Sequence, residues 1–355
     1  MPHTLRFVIA ALIALPLFAD TAYTVERTVT KLADGVYAIR HEDPLPGWAN
    51  GNTTVIIGSR DVFVVDSGQF PSVAREDIAQ IRQWTDKPVR YLLNTHWHLD
   101  HAGGNAAYME AFPGLAVVAH AQTKEMLDNE VQFMLGGMPA TIHDSQQQAE
   151  KALRSGKVDD RPLSDAGRKM RERGLARSAT LLDDVKNFVY QPPTLTFRDE
   201  LTIDLGGREV QVKFLGRGNT GGDAVVYLPK EKILATGDLV VHPIPYMFDG
   251  YPVEWSSTLD RLAALDTETI VPGHGDVMHD KKYIFQLRDL MRSVVRQVEA
   301  QLRTNFEMPL DDVKKAIDVK QQRDEILAGD TAEAGFFDYS LSEFIGYAYH
   351  EAKQR

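Results

Sequence analysis

The chain contains no cysteine among its 355 residues. This absence excludes disulfide bonds, thiolate metal ligands, a cysteine nucleophile and the attachment of a lipid to an N-terminal cysteine. Any metal site must therefore be built from His, Asp, Glu, Asn or water. The sequence also lacks a Gly-x-Ser-x-Gly motif, so it gives no support to a serine triad.

Positive charge is the next scarce feature. Lys and Arg number 39 against 50 Asp and Glu, which gives a formal net charge of −11. Phosphate-rich partners would be repelled at long range, so we predict no nucleic-acid partner. The chain shows neither an internal repeat of solenoid period nor a low-complexity tract, so repeat architectures are not indicated.

An apolar run long enough to suggest export occurs near the N-terminus. Arg6 precedes twelve apolar residues from Phe7 to Phe18, and small residues follow at Ala19 and Ala22. This pattern is typical of a secretory signal peptide and is too short to span a bilayer comfortably. We predict a signal peptide over residues 1–22, a periplasmic or secreted protein, and no stable membrane anchor after processing. A buried N-terminal helix or an uncleaved anchor is the alternative.

Short strand-like runs alternate with turns after this segment. TTVIIG (53–58) and DVFVVD (61–66) are separated by two residues, which predicts a hairpin of buried strands. VRYLLN (89–94) and LAVVAH (115–120) read as two further strands. Strands resume from residue 194. We predict one main domain over residues 23–280.

Two regions are rich in helix-forming residues. Residues 122–190 predict a helical insertion, and residues 281–355 predict a helical C-terminal extension. Ser340 and Glu343 have the spacing of a capping box, which predicts the start of the last helix at Ser340. Because the insertion follows the strand ending at His120, we expect it to form a lid over a site there or part of the substrate pocket. An outer decoration or a dimer contact is the alternative.

Three histidines and an aspartate crowd into NTHWHLDHAGGN, residues 94–105, at a predicted strand end. In an extended chain, residues two apart face the same side, so His96 and His98 can point into one cavity. If the chain then turns, Asp100 and His101 can face a second position beside the first. Imidazole and carboxylate are common metal ligands, so this spacing predicts two neighbouring ions.

This segment resembles the signature loop of the metallo-β-lactamase superfamily, and two later motifs agree with it in order. GDAVVYLPKEKILATGD ends in Asp238, where many hydrolases of the family keep an aspartate that bridges two metals. IVPGHG carries His274 and resembles the family's last ligand turn. The resemblance implies an α/β fold, an αββα sandwich with its metals at one edge. It implies the metal ligands His96, His98, Asp100, His101, Asp238 and His274.

One position departs from the family's pattern. The third ligand of the first metal is usually the histidine of a His-Thr-x-Gly-Asp string, but this chain reads FLGRGNTGGDA, with Asn219 at that place. An amide oxygen is a harder and weaker ligand than imidazole. In one interpretation, Asn219 coordinates weakly or through water, so the first ion is held less tightly. In the other, its NH₂ group donates a hydrogen bond to a substrate oxyanion during catalysis.

The resemblance implies a zinc-dependent hydrolase with two zinc ions. A metal-bound hydroxide would attack, because zinc lowers the pKa of its water toward ~7, and Asp100 would orient it and carry a proton. We predict cleavage of an amide or ester bond, cyclic as in a β-lactam or lactone, in a small-molecule substrate. The alternatives are a non-haem iron oxygenase of the same fold and a non-catalytic binding protein on a partly degenerate metal site.

Four other polar residues are weaker candidates. We expect His120 to be packed or hydrogen-bonded behind the site, and His242 either to rim the pocket or to pack elsewhere. Arg217 would pair with a substrate carboxylate or form a structural ion pair. Asp66 matches an aspartate of the family that orients a ligand imidazole.

Overall fold

The protein is described by a computed structural model over a defined part of the chain. The predicted signal peptide, residues 1–22, lies outside that part and stays a prediction. None of the helices in the part described is both long and apolar enough to cross a membrane. The described residues are 27–43, 49–158, 160–247, 250–330 and 333–354.

Two large sheets and one small hairpin contain the strands of the described residues. In chain order the strands are β1 (Arg27–Ala33), β2 (Val36–His41), β3 (Thr53–Ile57), β4 (Val62–Val65), β5 (Val89–Asn94), β6 (Ala116–His120), β7 (Lys157–Val158), β8 (Arg161–Pro162), β9 (Leu195–Phe197), β10 (Glu200–Asp204), β11 (Glu209–Phe214), β12 (Ala224–Leu228), β13 (Ile233–Ala235) and β14 (Thr269–Val271). The first sheet has the order β1-β2-β3-β4-β5-β6-β9, the second β10-β11-β12-β13-β14, and β7 pairs with β8.

Helices separate and follow these strands. They are α1 (Pro71–Trp84), α2 (Leu99–Ala102), α3 (Asn105–Ala111), α4 (Ala121–Ser155), α5 (Asp165–Lys186), α6 (Pro252–Ala264), α7 (Lys282–Thr304), α8 (Leu310–Ala316), α9 (Lys320–Leu327) and α10 (Ala334–Gln354), with a 3₁₀ turn at Gly237–Leu239. The helical insertion predicted over residues 122–190 corresponds to α4, the β7–β8 hairpin and α5.

The two sheets stack face to face because their strands are apolar on both sides. In β4, Phe63 and Val65 join the core between the sheets, whereas Val62 and Val64 join the core under α1 and α3. Successive residues of a strand face opposite sides, so a run such as VFVV covers both layers. β12 divides its side chains in the same way between the inter-sheet core and the core under α6 and α7. The predicted αββα sandwich is confirmed.

The carboxyl ends of two pairs of parallel strands meet at one edge of the sandwich. β4 runs parallel to β5 in the first sheet, and β13 runs parallel to β14 in the second. Asp66 follows β4, the histidine cluster follows β5, Asp238 follows β13 and His274 follows β14. The topology therefore gathers polar residues from distant parts of the chain at a single edge.

The predicted capping box at Ser340 is wrong. The last helix, α10, begins six residues earlier, so Ser340 lies inside it and is buried. Its hydroxyl donates a hydrogen bond to the carbonyl oxygen of Pro245. A tertiary contact, rather than a helix start, accounts for this serine.

Candidate metal centre

His96 and His98 point into one cavity together with Asp238. His96 Nε2 lies 3.0 Å from His98 Nδ1 and 3.6 Å from Asp238 Oδ2. One ligand atom of each of the three side chains lies within 4.8 Å of the others. Four ligands arranged tetrahedrally around zinc at the usual distances lie roughly 3.3 Å from one another. These three side chains, the first ligand group, therefore have the spacing of a metal site.

Asp100, His101 and His274 form the second ligand group. His101 Nε2 lies 3.1 Å from His274 Nε2 and 3.3 Å from Asp100 Oδ2. Asp100 Oδ2 in turn lies 3.1 Å from His274 Nε2. The same comparison with tetrahedral zinc applies, so this group also has the spacing of a metal site.

Asp238 lies between the two ligand groups. Its Oδ2 faces His96, while its Oδ1 lies 3.2 Å from His101 Nε2 and 3.5 Å from His274 Nε2. One oxygen thus faces each group, as a carboxylate that bridges two ions requires. The turn allows Asp238 to approach because Gly273 has no side chain. Any side chain at this position would collide with Asp238 Oδ1.

The protonation of these side chains also fits metal ligands. Burial and the charge of His101 hold the pKa of His96 well below its ordinary value, so this imidazole is neutral. Burial opposes the charges of Asp100 and Asp238, but His101 and His274 together outweigh burial and hold the pKa of both carboxyl groups well below its ordinary value. Burial lowers the pKa of His274, but Asp238 and Asp100 raise it to about 10. Ionised carboxylates with imidazoles are a donor set that zinc accepts, and metal binding would displace the added protons.

Asp66 holds His101 from behind. Its Oδ2 accepts a hydrogen bond from His101 Nδ1 at 2.8 Å, which leaves Nε2 facing the second ligand group. Thr95 donates to the same carboxylate from its backbone nitrogen at 2.8 Å and its hydroxyl at 2.9 Å. This contact is the one that the family resemblance implies for Asp66.

Asn219 is buried beside the first ligand group. Its Nδ2 lies 3.5 Å from Asp238 Oδ2, a position from which both interpretations of this residue follow. Asp223, which the sequence analysis missed, shapes the loop by accepting hydrogen bonds from the backbone nitrogens of Gly218 at 3.0 Å and Thr220 at 2.9 Å. Burial raises the pKa of Asp223 to about 7. The sequence does contain a signal for this role of Asp223: it lies in a glycine-rich turn, where aspartate side chains accept hydrogen bonds from nearby backbone groups.

His120 and His242 lie outside both ligand groups. The His120 ring stacks on Phe214 with centroids 4.4 Å apart, and its Nδ1 accepts a hydrogen bond from the backbone of Gln122 at 3.3 Å. The His242 ring packs edge-on against Tyr283 with centroids 4.9 Å apart. Packing is therefore the role that the contacts of both residues support.

Arg217 forms a structural ion pair. Its Nε donates to Glu254 Oε2 at 2.9 Å, and its guanidinium carbon lies 4.1 Å from the centre of the Tyr251 ring. The alternative reading of Arg217 as a structural pair is the one that these contacts support.

A short segment, Asn50 to Asn52, joins the two loops of the second ligand group. The Gly51 backbone nitrogen donates to the Asp100 carbonyl at 3.3 Å, and the Asn52 backbone nitrogen donates to the Gly273 carbonyl at 2.7 Å. Asn52 Nδ2 also donates to the Gly275 carbonyl at 2.9 Å. This segment cannot be recognised from the sequence, because its partners lie far away in the chain.

His41 supports this segment from the core. Its Nδ1 lies 2.8 Å from the Gly51 carbonyl, and its Nε2 lies 3.0 Å from both oxygens of Asp77. Arg27 donates to Asp77 at 2.9 Å. Because both ring nitrogens face acceptors, the ring is doubly protonated. Burial lowers the pKa of His41, but Asp77 and the Gly51 carbonyl outweigh burial and raise it.

Helix α4 packs against the histidine cluster. Trp97, which lies between His96 and His98 in the sequence, is buried in a cluster with Leu127, Met126 and Met134. The insertion is thus adjacent to the site, as expected for a covering element. Its role as a lid stays a prediction.

An αββα sandwich with two adjoining His/Asp groups at one edge defines a class of metal-binding proteins. The metallo-β-lactamase superfamily matches residues 46–274 of this chain, and the chain belongs to that superfamily. Among solved structures, the metallo-β-lactamase from Pontibacter korlensis has a TM-score of 0.52 at 21% identity, covering 75% of this chain and 99% of that one. FIM-1 from Pseudomonas aeruginosa has a TM-score of 0.53 at 17% identity, covering 76% and 96%.

Curated relatives carry hydrolase names. The linear primary-alkylsulfatase of a Pseudomonas species is 28% identical over 251 residues, which make up 68% of this chain and 44% of that protein. The metallo-β-lactamase type 2 of a Bacillus species is 29% identical over 131 residues, or 35% of this chain and 51% of that protein. The chain therefore spans about half the length of these relatives. They support a metal-dependent hydrolase of this superfamily.

Proposed function

We propose that this protein is a zinc-dependent hydrolase that cleaves an amide or ester bond of a small molecule. The observation that carries the proposal is Asp238, whose two carboxylate oxygens face the two ligand groups. Asp238 would hold two ions close together, and such a pair would supply an activated water and a polarised substrate group.

Asp100 has the position of the group that handles protons. When bound, zinc supplies Lewis acidity and lowers the pKa of its water toward about 7. Asp100 is the more exposed carboxylate of the centre, 16% against 5% for Asp238. Its ionised side chain orients the attacking water, accepts its proton and passes the proton to the leaving group.

Zinc is the metal we propose, with unequal affinity at the two groups. The second group has two imidazoles and its own carboxylate, whereas the first has His96 and His98 with a share of Asp238. Asn219, which lies beside the first group, would add only an amide oxygen, a weaker zinc ligand than imidazole. An iron oxygenase needs one His₂-carboxylate triad with open positions, and the chain keeps ligand-type residues for two ions.

Two substrate classes follow from the relatives. The match to metallo-β-lactamases favours a cyclic amide or ester, a β-lactam or a lactone. A second candidate, the hydrolysis of alkyl sulfate esters, is favoured by the alkylsulfatase, whose match extends over 68% of this chain. Both reactions use activated water to cleave a polarised bond, by addition to a carbonyl in an amide or carboxylic ester and by displacement in a sulfate ester.

The experiment is metal analysis combined with a substrate panel. Protein loaded with zinc should hydrolyse a β-lactam, a lactone or an n-alkyl sulfate, lose that activity on chelation and regain it with zinc. Asp100→Ala should abolish turnover, whereas Asp34→Ala, at an exposed surface carboxylate, should not. Protein that binds no metal, or that binds one iron and consumes oxygen during turnover, would contradict the proposal.

We also propose that the protein acts in the periplasm or outside the cell, on the sequence of residues 1–22 alone. Mass spectrometry of the protein from a periplasmic extract should find a mature N-terminus near residue 23. Intact Met1 in a cytoplasmic fraction would contradict this.

A further inference from the structure

The loop after Asp238 connects the second ligand group to the C-terminal helices. We define this loop as residues 241–247 and call it the outer loop. It begins beside His274, because Val241 pairs in parallel with His274 and the His242 backbone nitrogen donates to the His274 carbonyl at 3.1 Å. A change in the outer loop therefore acts directly on a candidate ligand.

Helices α7 and α10 hold the outer loop in place. Tyr283 of α7 donates its hydroxyl to the carbonyls of Val241 at 2.7 Å and Pro243 at 3.0 Å. Ser340 of α10 donates to the carbonyl of Pro245. Both helices lie beyond residues 46–274, the part that matches the superfamily. The wall beside the metal centre is thus built partly by a segment outside the residues that match the superfamily.

Three aromatic side chains lie where the outer loop contacts α10. Tyr246 stacks on Phe336 with ring centroids 5.8 Å apart and planes 15° apart. Phe336 is 44% exposed, and Tyr339, one helical turn further, is 54% exposed. We call Tyr246, Phe336 and Tyr339 the aromatic patch. Exposed, adjoining aromatic rings beside a site commonly mark a binding surface.

The aromatic patch adjoins the open side of the metal centre. Asp100 and His274 of the second ligand group are 16% and 15% exposed, whereas Asp238 is 5% exposed and His96 is fully buried, so we expect a substrate to arrive from the side of Asp100 and His274. Tyr246 belongs to the outer loop, which begins beside His274. Burial is the main cause that raises the pKa of Tyr246 to about 12, and the charges of Tyr339, Glu343 and Asp100 add to it.

Charged groups near this entrance favour an uncharged ligand surface. Three arginines on the surrounding elements each face a carboxylate: Arg40 with Asp276, Arg173 with Glu42, and Arg217 with Glu254. Arginines neutralised in this way give an anionic tail little attraction. The entrance thus favours apolar contact along the aromatic patch.

We propose that the aromatic patch binds an alkyl or aryl part of the substrate while the scissile group lies at Asp100 and His274. This inference rests on the proposed function and names its substrate class, an amide or ester with an apolar substituent. The C-terminal extension then selects substrates, and the family core supplies the ligands. Burial of an alkyl chain against the aromatic patch contributes up to roughly fourfold in affinity per methylene.

The test uses n-alkyl hydroxamates, whose head group chelates zinc and whose tail length can be varied. Calorimetry with the zinc-loaded full chain should find octanohydroxamate at least about tenfold tighter than acetohydroxamate, since six added methylenes become partly buried. Equal affinities for the two probes would overturn the proposed role of the aromatic patch but would leave the proposed metal centre unaffected. Failure of both probes to bind zinc-loaded protein would overturn the proposed function and this inference with it.

Variants of the aromatic patch identify the residues responsible. Phe336→Ala combined with Tyr339→Ala should reduce the affinity ratio of the two probes about tenfold, and Phe336→Leu should retain most of it. The matched control is Phe306→Ala, which removes another exposed ring, 54% exposed, beside Lys353 at the far end of α10. That end lies on the order of 25 Å from Phe336 along the helix. A ratio that falls equally in the control, or in none of the variants, would refute the proposal.

Discussion

His101 donates a hydrogen bond from Nδ1 to Oδ2 of Asp66 over 2.8 Å. The contact fixes the orientation of the ring, so that Nε2 faces Asp100, His274 and Asp238. Asp66 itself has φ 62°, in the left-handed region, where an aspartate or asparagine is tolerated better than most residues. The backbone therefore presents this carboxylate to a candidate ligand from behind.

Asp66→Asn should weaken zinc binding at the second ligand group. The amide keeps the shape and suits the left-handed backbone, but it removes the charge that orients His101. Loss of such a partner typically costs about 10–100-fold in metal affinity, measurable by competition with a chromogenic chelator. Asp34→Asn, at an exposed carboxylate paired with Lys31, is the control. Undiminished affinity for both ions would show that His101 is oriented without Asp66.

Gly51→Ala should disturb the same ligand. A β-carbon at Gly51 would lie 2.5 Å from Cε1 and 2.7 Å from Nδ1 of His101, closer than packed atoms allow, so the ring must move. We expect loss of one zinc equivalent, measured by elemental analysis after gel filtration. Gly136→Ala is the control, since it adds a methyl group with no neighbour within 4 Å. If Gly51→Ala still binds two zinc equivalents, the segment from Asn50 to Asn52 moves and the His101 ring keeps its place.

The histidine cluster could be predicted from sequence because its members lie within six positions, in the turn between β5 and α2 and in α2 itself, so that local chain geometry brings them together. Asp238 and His274 needed the family resemblance, since only the meeting of two sheets places them beside the cluster. The segment around Gly51 could not be found, because Asn52 bonds to residues about 220 positions away. The capping-box prediction at Ser340 was wrong for a related reason. The Ser340 hydroxyl donates to the carbonyl of Pro245, 95 positions away, so the local pattern does not mark the helix start.

Asn219→His separates the two interpretations of Asn219. If the amide is a weak ligand, a third nitrogen donor should tighten zinc at the first group, because neutral imidazole suits zinc better than an amide. If the amide is an oxyanion donor, zinc content should stay the same and kcat should fall by ~10²–10³. Both quantities are measured on one preparation, with Asn187→His at an exposed position as control. If neither zinc binding nor kcat changes, Asn219 takes no part in the site.

The pair of His41 and Asp77 predicts a pH dependence of stability. The pKa of His41 is raised above 6.5 in the folded chain. Its contribution is therefore fully present below pH 6.5 and is lost as the pH rises through the folded-state pKa. Breaking such a buried pair costs about 3 kcal/mol.

The measurement is the urea-induced unfolding of metal-free protein between pH 5 and 9. His41→Gln should lower the free energy of unfolding most at the acid end, so that the difference from the natural protein shrinks toward alkaline pH. His279→Gln, at an exposed histidine, should leave the profile in place. A difference that grows with pH would mean that His41 is neutral in the folded chain.

Zinc titration of the metal-free protein by calorimetry tests the two-ion centre most directly. The natural chain should bind two equivalents with unequal affinity. His98→Ala should weaken one binding event and His274→Ala the other, whereas Asp238→Ala should weaken both, because its oxygens face both groups. Circular dichroism checks that each variant is folded. A single binding event in the natural chain, or an Asp238→Ala variant that loses only one, would contradict the shared carboxylate on which the account depends.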